Sequence, residues 1–202
     1  MKHTFLIRLG GLAPIVGGVI YAVLSILGDP FSMADVTRSW ARVFKVSFVL
    51  FLLSVMVVVV ALHLLQRERY GRKGMLASAS ALVGVVGVAL SFGLDFGFLR
   101  FAKEVYLFGG MIELLVFVGL VGTLVGIIGI IALGILTLKA EVLPWWCGWA
   151  LIAGNPLFEV FLFFFGLDNL NGTWSVVVPW AVVGFAVFLA AGRRTAWPQG
   201  MR

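Results

Sequence analysis

The sequence contains few of the residues from which metal and redox sites are built. Among 202 residues there is one cysteine, Cys147, and there are two histidines, His3 and His63. A lone cysteine excludes an internal disulfide and a cysteine-rich metal site. Two histidines leave little for a zinc site or a bis-histidine haem. We therefore predict no metal site, and the sequence requires no cofactor.

Charged residues are also scarce. They make up 12% of the chain, against 62% hydrophobic residues, and the mean hydropathy is +1.12. These values exclude an ordinary soluble domain. The net charge of +6 would suggest nucleic acid as the partner of a soluble protein, but here the cations flank apolar runs. We therefore interpret them as determinants of membrane topology and predict membrane lipid, not nucleic acid, as the partner.

Patterns of nucleophilic catalysis are missing as well. No G-x-S-x-G motif occurs, and the segments predicted below to lie outside contain no histidine that would serve as a base. The glycines lie inside apolar runs and not in phosphate-binding loops. We propose no catalytic residue, and an enzyme is disfavoured.

Long apolar runs are what the sequence does have. Residues 46–65 contain no residue of fixed charge, and at 1.5 Å per residue such a helix crosses a hydrocarbon core of about 30 Å. The sequence predicts an all-α, polytopic transmembrane bundle as a single domain, 1–202, with six spans. The predicted spans are 9–27, 46–65, 75–94, 114–138, 145–165 and 174–191.

A short basic segment between the second and third spans indicates the orientation. Residues 67–73 carry four cations and one anion, which by the positive-inside rule makes this turn cytoplasmic. Both termini then lie inside, together with ten of the fifteen cations. Two outer segments, 33–44 and 96–107, are amphipathic, and either a lid or simple surface connectors would explain them.

Small residues form stripes along two spans. In the fourth span the glycines recur at spacings of three, four and three, and the third span has a similar stripe of small residues. Such stripes let helix backbones approach closely, either within the chain or across a homodimer seam. The predicted packing residues are Gly119, Gly122, Gly126, Gly129, Gly84 and Gly87.

The fifth span contains a break. Pro156 follows Asn155, and Glu159 lies one turn later, an arrangement found at the binding sites of transporters but also in ordinary kinked helices. Acids in a membrane should face the bundle or a watery vestibule. The candidate ligand or ion site comprises Glu159, Asn155, Asp95, Glu113 and Lys45. An ion pair at the outer rim would explain the same residues. We interpret His63 as an interfacial residue.

Two segments, 61–84 and 132–154, share a plan of apolar helix end, charged turn and small-residue span, which predicts a parallel repeat of helical hairpins. A glycine-rich first helix, the basic turn 66–74, an acid after the third span and V-L-P-W-W-x-G-W-A at 142–150 complete a pattern. It resembles the small bacterial six-helix integral membrane proteins classed as domains of unknown function. The resemblance implies a multi-pass protein of the bacterial plasma membrane and no site residues.

Three functions remain open. The first is an accessory or scaffold bundle that packs with itself or with a larger membrane complex and holds a lipid, quinone or pigment along residues 158–165. The second is a small solute or ion transporter with its site at Asn155-Pro156 and Glu159. The third is a lipid-modifying enzyme. We rank them in this order because so few polar residues line the predicted spans, whereas a solute path needs several.

Overall fold

The computed structural model describes residues 2–27, 38–93, 109–154 and 172–196. Within these ranges the chain is helical, with no strand, so the predicted all-α class is confirmed for this part. Side chains are described for most of these residues. The helices are α1 (Lys2–Leu27), α2 (Arg38–Gly93), α3 (Gly109–Ala140), α4 (Trp145–Ile152) and α5 (Gly172–Ala196).

Three of the described helices are long and apolar enough to cross a membrane, through the segments Phe5–Leu24, Val46–Ala89 and Phe117–Ala140. A shorter apolar helix segment covers Val177–Gly192. Large apolar side chains also cover the outside of the bundle, as Phe117 at 63% and Ile128 at 68% exposure show. An apolar exterior of this extent is unfavourable in water and fits contact with lipid.

Helix α2 reverses direction at Gly71. Its 56 residues would span about 84 Å if straight. Gly71 instead has φ 47° and ψ −121°, outside the helical region. A Cβ atom on Gly74 would lie 4.0 Å from His63 Nδ1, whereas a straight helix would separate positions 63 and 74 by roughly 16 Å. The chain therefore folds back into a first arm, 38–70, and a second arm, 72–93.

Two glycine pairs give α1 two packing faces. Positions seven apart lie almost above one another on a helix, and adjacent positions differ by about 100°. Gly10 packs on Ala61 of the first arm of α2, and a Cβ on Gly17 would lie 2.8 Å from Ser54 Oγ of the same arm. The adjacent glycines face α5, where a Cβ on Gly11 would lie 2.7 Å from Phe188 Cα. Helix α1 is thus packed between α2 and α5.

The core of the bundle is apolar and lies along these contacts. Phe51 and Leu62 of the first arm are fully buried, and Trp180 of α5 is 2% exposed. Tyr21 of α1 stacks on Phe51 with ring centroids 5.5 Å apart and an interplanar angle of 13°. Burial of these large side chains stabilises the packing where α1, α2 and α5 meet.

A tight turn joins α3 to α4. Glu141 has φ 53°, a left-handed conformation that is uncommon for a residue with a Cβ atom, and Pro144 precedes the first turn of α4. Beyond the turn the two helices approach closely. A Cβ atom on Gly134 would lie 2.8 Å from the Gly148 carbonyl oxygen, and a Cβ atom on Gly148 would lie 2.8 Å from the Gly134 carbonyl oxygen. The turn therefore returns α4 alongside the end of α3.

Several predicted segments differ in their ends from the helices of the structure or lie only partly within the described residues. Residues 38–44 of the first amphipathic segment continue directly into α2, and α1 begins well before position 9. The second amphipathic segment, 96–107, lies outside the described residues, as does the predicted fifth span beyond position 154.

Candidate functional site

The candidate ion or ligand site falls largely outside the described part of the structure. Asp95, Asn155 and Glu159 lie outside the described residues. Lys45 and Glu113 belong to α2 and α3, but their side chains are not among those described. The grouping of these five residues thus stays a prediction.

The predicted packing glycines, by contrast, are described, and they meet at one seam between the second arm of α2 and α3. Gly84 lies directly against Gly126, so that a Cβ atom on either would collide with the backbone of the other. A Cβ on Gly87 would lie 2.8 Å from the Gly122 carbonyl carbon and 2.9 Å from the Gly119 oxygen.

The same seam continues toward Gly71. A Cβ on Gly129 would lie 2.7 Å from the Ser80 carbonyl carbon and would also collide with the backbone of Ala81. Along the seam, residue numbers fall in the second arm of α2 while they rise in α3. The second arm and α3 are therefore antiparallel. The contacts described at this seam are those of close backbone proximity and dispersion.

The outward face of α3 is opposite in character. Phe117, Leu124 and Ile128 are 62 to 68% exposed and recur at intervals of seven and four, on the side of the helix away from the glycines. Helix α3 therefore presents backbone to its neighbour within the chain and large apolar side chains to its surroundings.

A buried hydrogen bond joins the first arm of α2 to the end of α3. Gln66 is 4% exposed and Thr137 is 1% exposed. The Gln66 Nε2 group donates to Thr137 Oγ1 at 2.9 Å, and the Thr137 hydroxyl donates to the Leu133 carbonyl at 2.8 Å. Each hydrogen is used once in this chain of bonds. The pair fixes the end of α3 beside the Gly71 turn.

Two polar atoms near the same turn have no partner among the described groups. His63 Nδ1 and Ser78 Oγ are both buried and make no hydrogen bond to the described protein. Ser78 as a whole is 5% exposed. A buried polar group without a partner typically costs about 1–3 kcal/mol. These are therefore the positions in the described part where a bound polar group would be stabilising.

Charged and aromatic residues surround this end of the bundle. The basic turn next to Gln66 and the end of α3 next to Thr137 are brought together by the hydrogen bond between those two residues, and their charged side chains are exposed. Trp145 and Trp149 at the start of α4 are 70% and 52% exposed. The exposed cations are Arg67, Arg69, Arg72, Lys73 and Lys139.

Cofactor ligands are few here. Among the described residues no group of three or more His, Cys, Asp or Glu side chains is placed to hold a metal ion.

Sequence reasoning missed the pair of Gln66 and Thr137 and the unpartnered Ser78. A usable signal existed for the pair, since Gln66 lies five residues before Gly71 and Thr137 four before Glu141, at similar distances from the two turns.

Together these features define a class: a helical bundle with an apolar exterior, three described helices long enough to cross a membrane, glycine-mediated packing and a basic, tryptophan-bearing end. Comparison with known proteins does not narrow this class. No protein-family model, no curated protein and no solved structure matches the chain.

Proposed function

We propose that the chain is a multi-pass protein of the bacterial plasma membrane, with six spans and both termini in the cytoplasm. In this layout α1, the two arms of α2, α3, the segment beginning at α4, and α5 are the spans. The clustering of the basic turn with Lys139 at one end of the bundle supports a cytoplasmic position for that end. The exposed Trp145 and Trp149 suit the same membrane interface.

A feature of the buried polar pair supports the parallel repeat. Aligning position 61 with position 132 aligns Gln66 with Thr137, and these are the two side chains that bond to one another. Equivalent residues meet in this way at the axis that relates two parallel repeats. Residues with positive φ also occur at nearly equivalent places, Gly71 and Glu141.

The function that we propose is that of a scaffold or accessory bundle, which packs with itself or with a larger membrane complex. One observation carries it: the seam between the second arm of α2 and α3 is closed by glycine backbone, with no room for a solute. Of the buried polar residues, Ser54 lies deep in the bundle, about 25 Å from Gly71 along the helix. Its hydroxyl bonds to the Phe51 carbonyl of its own helix at 2.6 Å. Where side chains are described, no polar path crosses the bundle.

The outward face of α3 is the surface that we assign to partners. Phe117, Leu124 and Ile128 project from a helix whose other side is fully engaged with the chain. This face would contact lipid, a second copy of the chain or another membrane subunit. The transporter and enzyme alternatives depend on residues outside the described part, and no described feature favours them.

Purification in mild detergent tests the scaffold function. The protein should emerge with a second copy or with other membrane proteins, identified by mass spectrometry. Leu124→Cys should then form cross-linked products in membranes, whereas Val16→Cys, equally outward on α1 at 55% exposure, serves as the matched control. The native Cys147 is retained because it is buried. A monomer that emerges alone, with no cross-linking at either position, would overturn the proposal.

A further inference from the structure

His63, Gly74 and Ser78 occupy a common position on the two arms of α2. His63 lies eight residues before Gly71 and Ser78 seven after it, so both are about 10–12 Å from the turn along their arms. In the proposed membrane placement this depth is the boundary between headgroups and acyl chains.

The two unpartnered atoms also lie on facing surfaces. A Cβ on Gly74 would be 4.0 Å from His63 Nδ1, so this side of the second arm faces the imidazole. Positions 74 and 78 are one turn apart, and their Cβ positions are about 6 Å apart. The Ser78 Cβ is therefore no more than about 10 Å from His63 Nδ1. A group of a few atoms can contact both side chains.

The chemical groups around His63 Nδ1 and Ser78 Oγ restrict the kind of ligand that can bind there. A serine hydroxyl is a hydrogen-bond donor, and so is Nδ1 of an imidazole when it carries the ring proton; neither atom has a partner among the described groups. Ala77 and Ala81, on the same arm, belong to the apolar core. No cluster of acids or metal ligands occurs in the described part. A neutral acceptor oxygen on an apolar molecule fits these conditions, whereas a metal cation does not.

We propose that His63, Gly74 and Ser78 form a binding site for the carbonyl oxygen of a membrane-soluble molecule. Gly74 leaves room beside the imidazole, and Tyr70, whose Cβ would lie 3.4 Å from a Cβ on Gly74, flanks it. His63 as a whole is only partly buried, although its Nδ1 atom is buried. This chemistry occurs in a quinone and in the ester groups of phospholipids. The proposal rests on the membrane placement and not on the scaffold function.

The two histidines of the chain make a direct measurement practicable. In a His3→Gln variant labelled with nitrogen-15 histidine, His63 is the one labelled residue. A carbonyl that accepts from Nδ1 holds the proton on that nitrogen, and the nitrogen chemical shifts report which of the two ring nitrogens is protonated.

The test compares three lipid environments. Nanodiscs of ether-linked phospholipid contain no ester carbonyl and give the baseline. Discs of ester-linked phospholipid test the lipid as ligand, and ether discs with added decylubiquinone test the quinone. We expect Nδ1 to become protonated and shifted in one of the last two. Identical His63 spectra in all three would overturn the proposal, whatever partners the protein has.

Gly74→Ala is the discriminating variant. The added methyl meets its nearest atoms at 3.4 Å and 4.0 Å, ordinary contact distances, so the fold should tolerate it while space beside the imidazole is lost. Ser78→Ala removes one donor, and about a tenfold weaker response to the ligand is expected for either change. Gly192→Ala, with nothing within 4 Å, is the control. A ligand response unchanged in both site variants would also overturn the proposal.

Discussion

Single residues in this bundle act mainly by being small or by completing a polar pair. At Gly126 the relevant property is the missing side chain, because the backbone of Gly84 occupies the space. At Thr137 it is one hydroxyl that accepts from Gln66 and donates to its own helix. Each effect can be measured by a one-residue change.

Gly126→Ala should destabilise the bundle. The new methyl would meet the Gly84 backbone, which no side-chain rotation can relieve, and overpacking of this kind typically costs about 1–3 kcal/mol. Thermal unfolding in detergent measures it as a lower Tm. Gly192→Ala, where nothing lies within 4 Å, should leave the Tm unchanged. Equal melting of the two variants would contradict the close contact at Gly126.

Thr137→Val should destabilise the protein because it leaves the buried Gln66 amide without a side-chain partner. The expected loss is about 1–3 kcal/mol. In the double variant Gln66→Leu with Thr137→Val, part of this loss should be recovered, since neither group then needs a partner. A double-mutant cycle by chemical denaturation should yield a coupling of about 1 kcal/mol. Strict additivity of the two single changes would rule out the bond.

At the scale of elements, glycine spacing decides which helices meet. Helix α1 carries two neighbouring stripes, each of two glycines seven residues apart, and they contact α2 and α5. On α3, glycines at spacings of three and four produce one antiparallel seam. The sequence predicted the stripe on α3 from its periodicity alone. The partner of each stripe could not be predicted, because a run of glycines indicates close approach but not which backbone approaches.

Gly71→Ala tests the reversal within α2. No atom lies within 4 Å of a Cβ built there, so any effect comes from the backbone conformation and not from a clash. A φ of 47° with ψ −121° is strained for alanine, and the free energy of unfolding should fall by about 1–3 kcal/mol. Denaturation in detergent compares it with Gly74→Ala, at a helical position in the same turn. A neutral Gly71→Ala would show that the reversal does not need glycine.

At the scale of the whole molecule, the proposed membrane topology rests on charge. The exposed cations of the basic turn and of the end of α3 share one end of the bundle, through the bond between Gln66 and Thr137. In the topology that we propose, the positive-inside rule places this end in the cytoplasm, because transferring such a cluster across the membrane is unfavourable.

Cysteine labelling in intact cells tests this orientation. Tyr70→Cys, in the basic turn, should resist an impermeant maleimide, and Asn169→Cys, in the predicted outer loop, should react. The buried native Cys147 supplies an unreactive background. After membranes are opened, Tyr70→Cys should react too, which controls for accessibility. Labelling of Tyr70→Cys in intact cells would invert the proposed topology.

The sequence by itself determined the all-helical class and the presence of membrane-length apolar helices, since both follow from local composition and periodicity. Only the tertiary structure decided that Gly84 packs on Gly126, that Gln66 bonds Thr137, and that His63 and Ser78 are left without partners. These facts depend on the rotation and register of packed helices, which for the first two pairs lie far apart in the chain. Apolar periodicity specifies a buried face of each helix, but the register of two such faces is decided by side-chain fit after the helices meet.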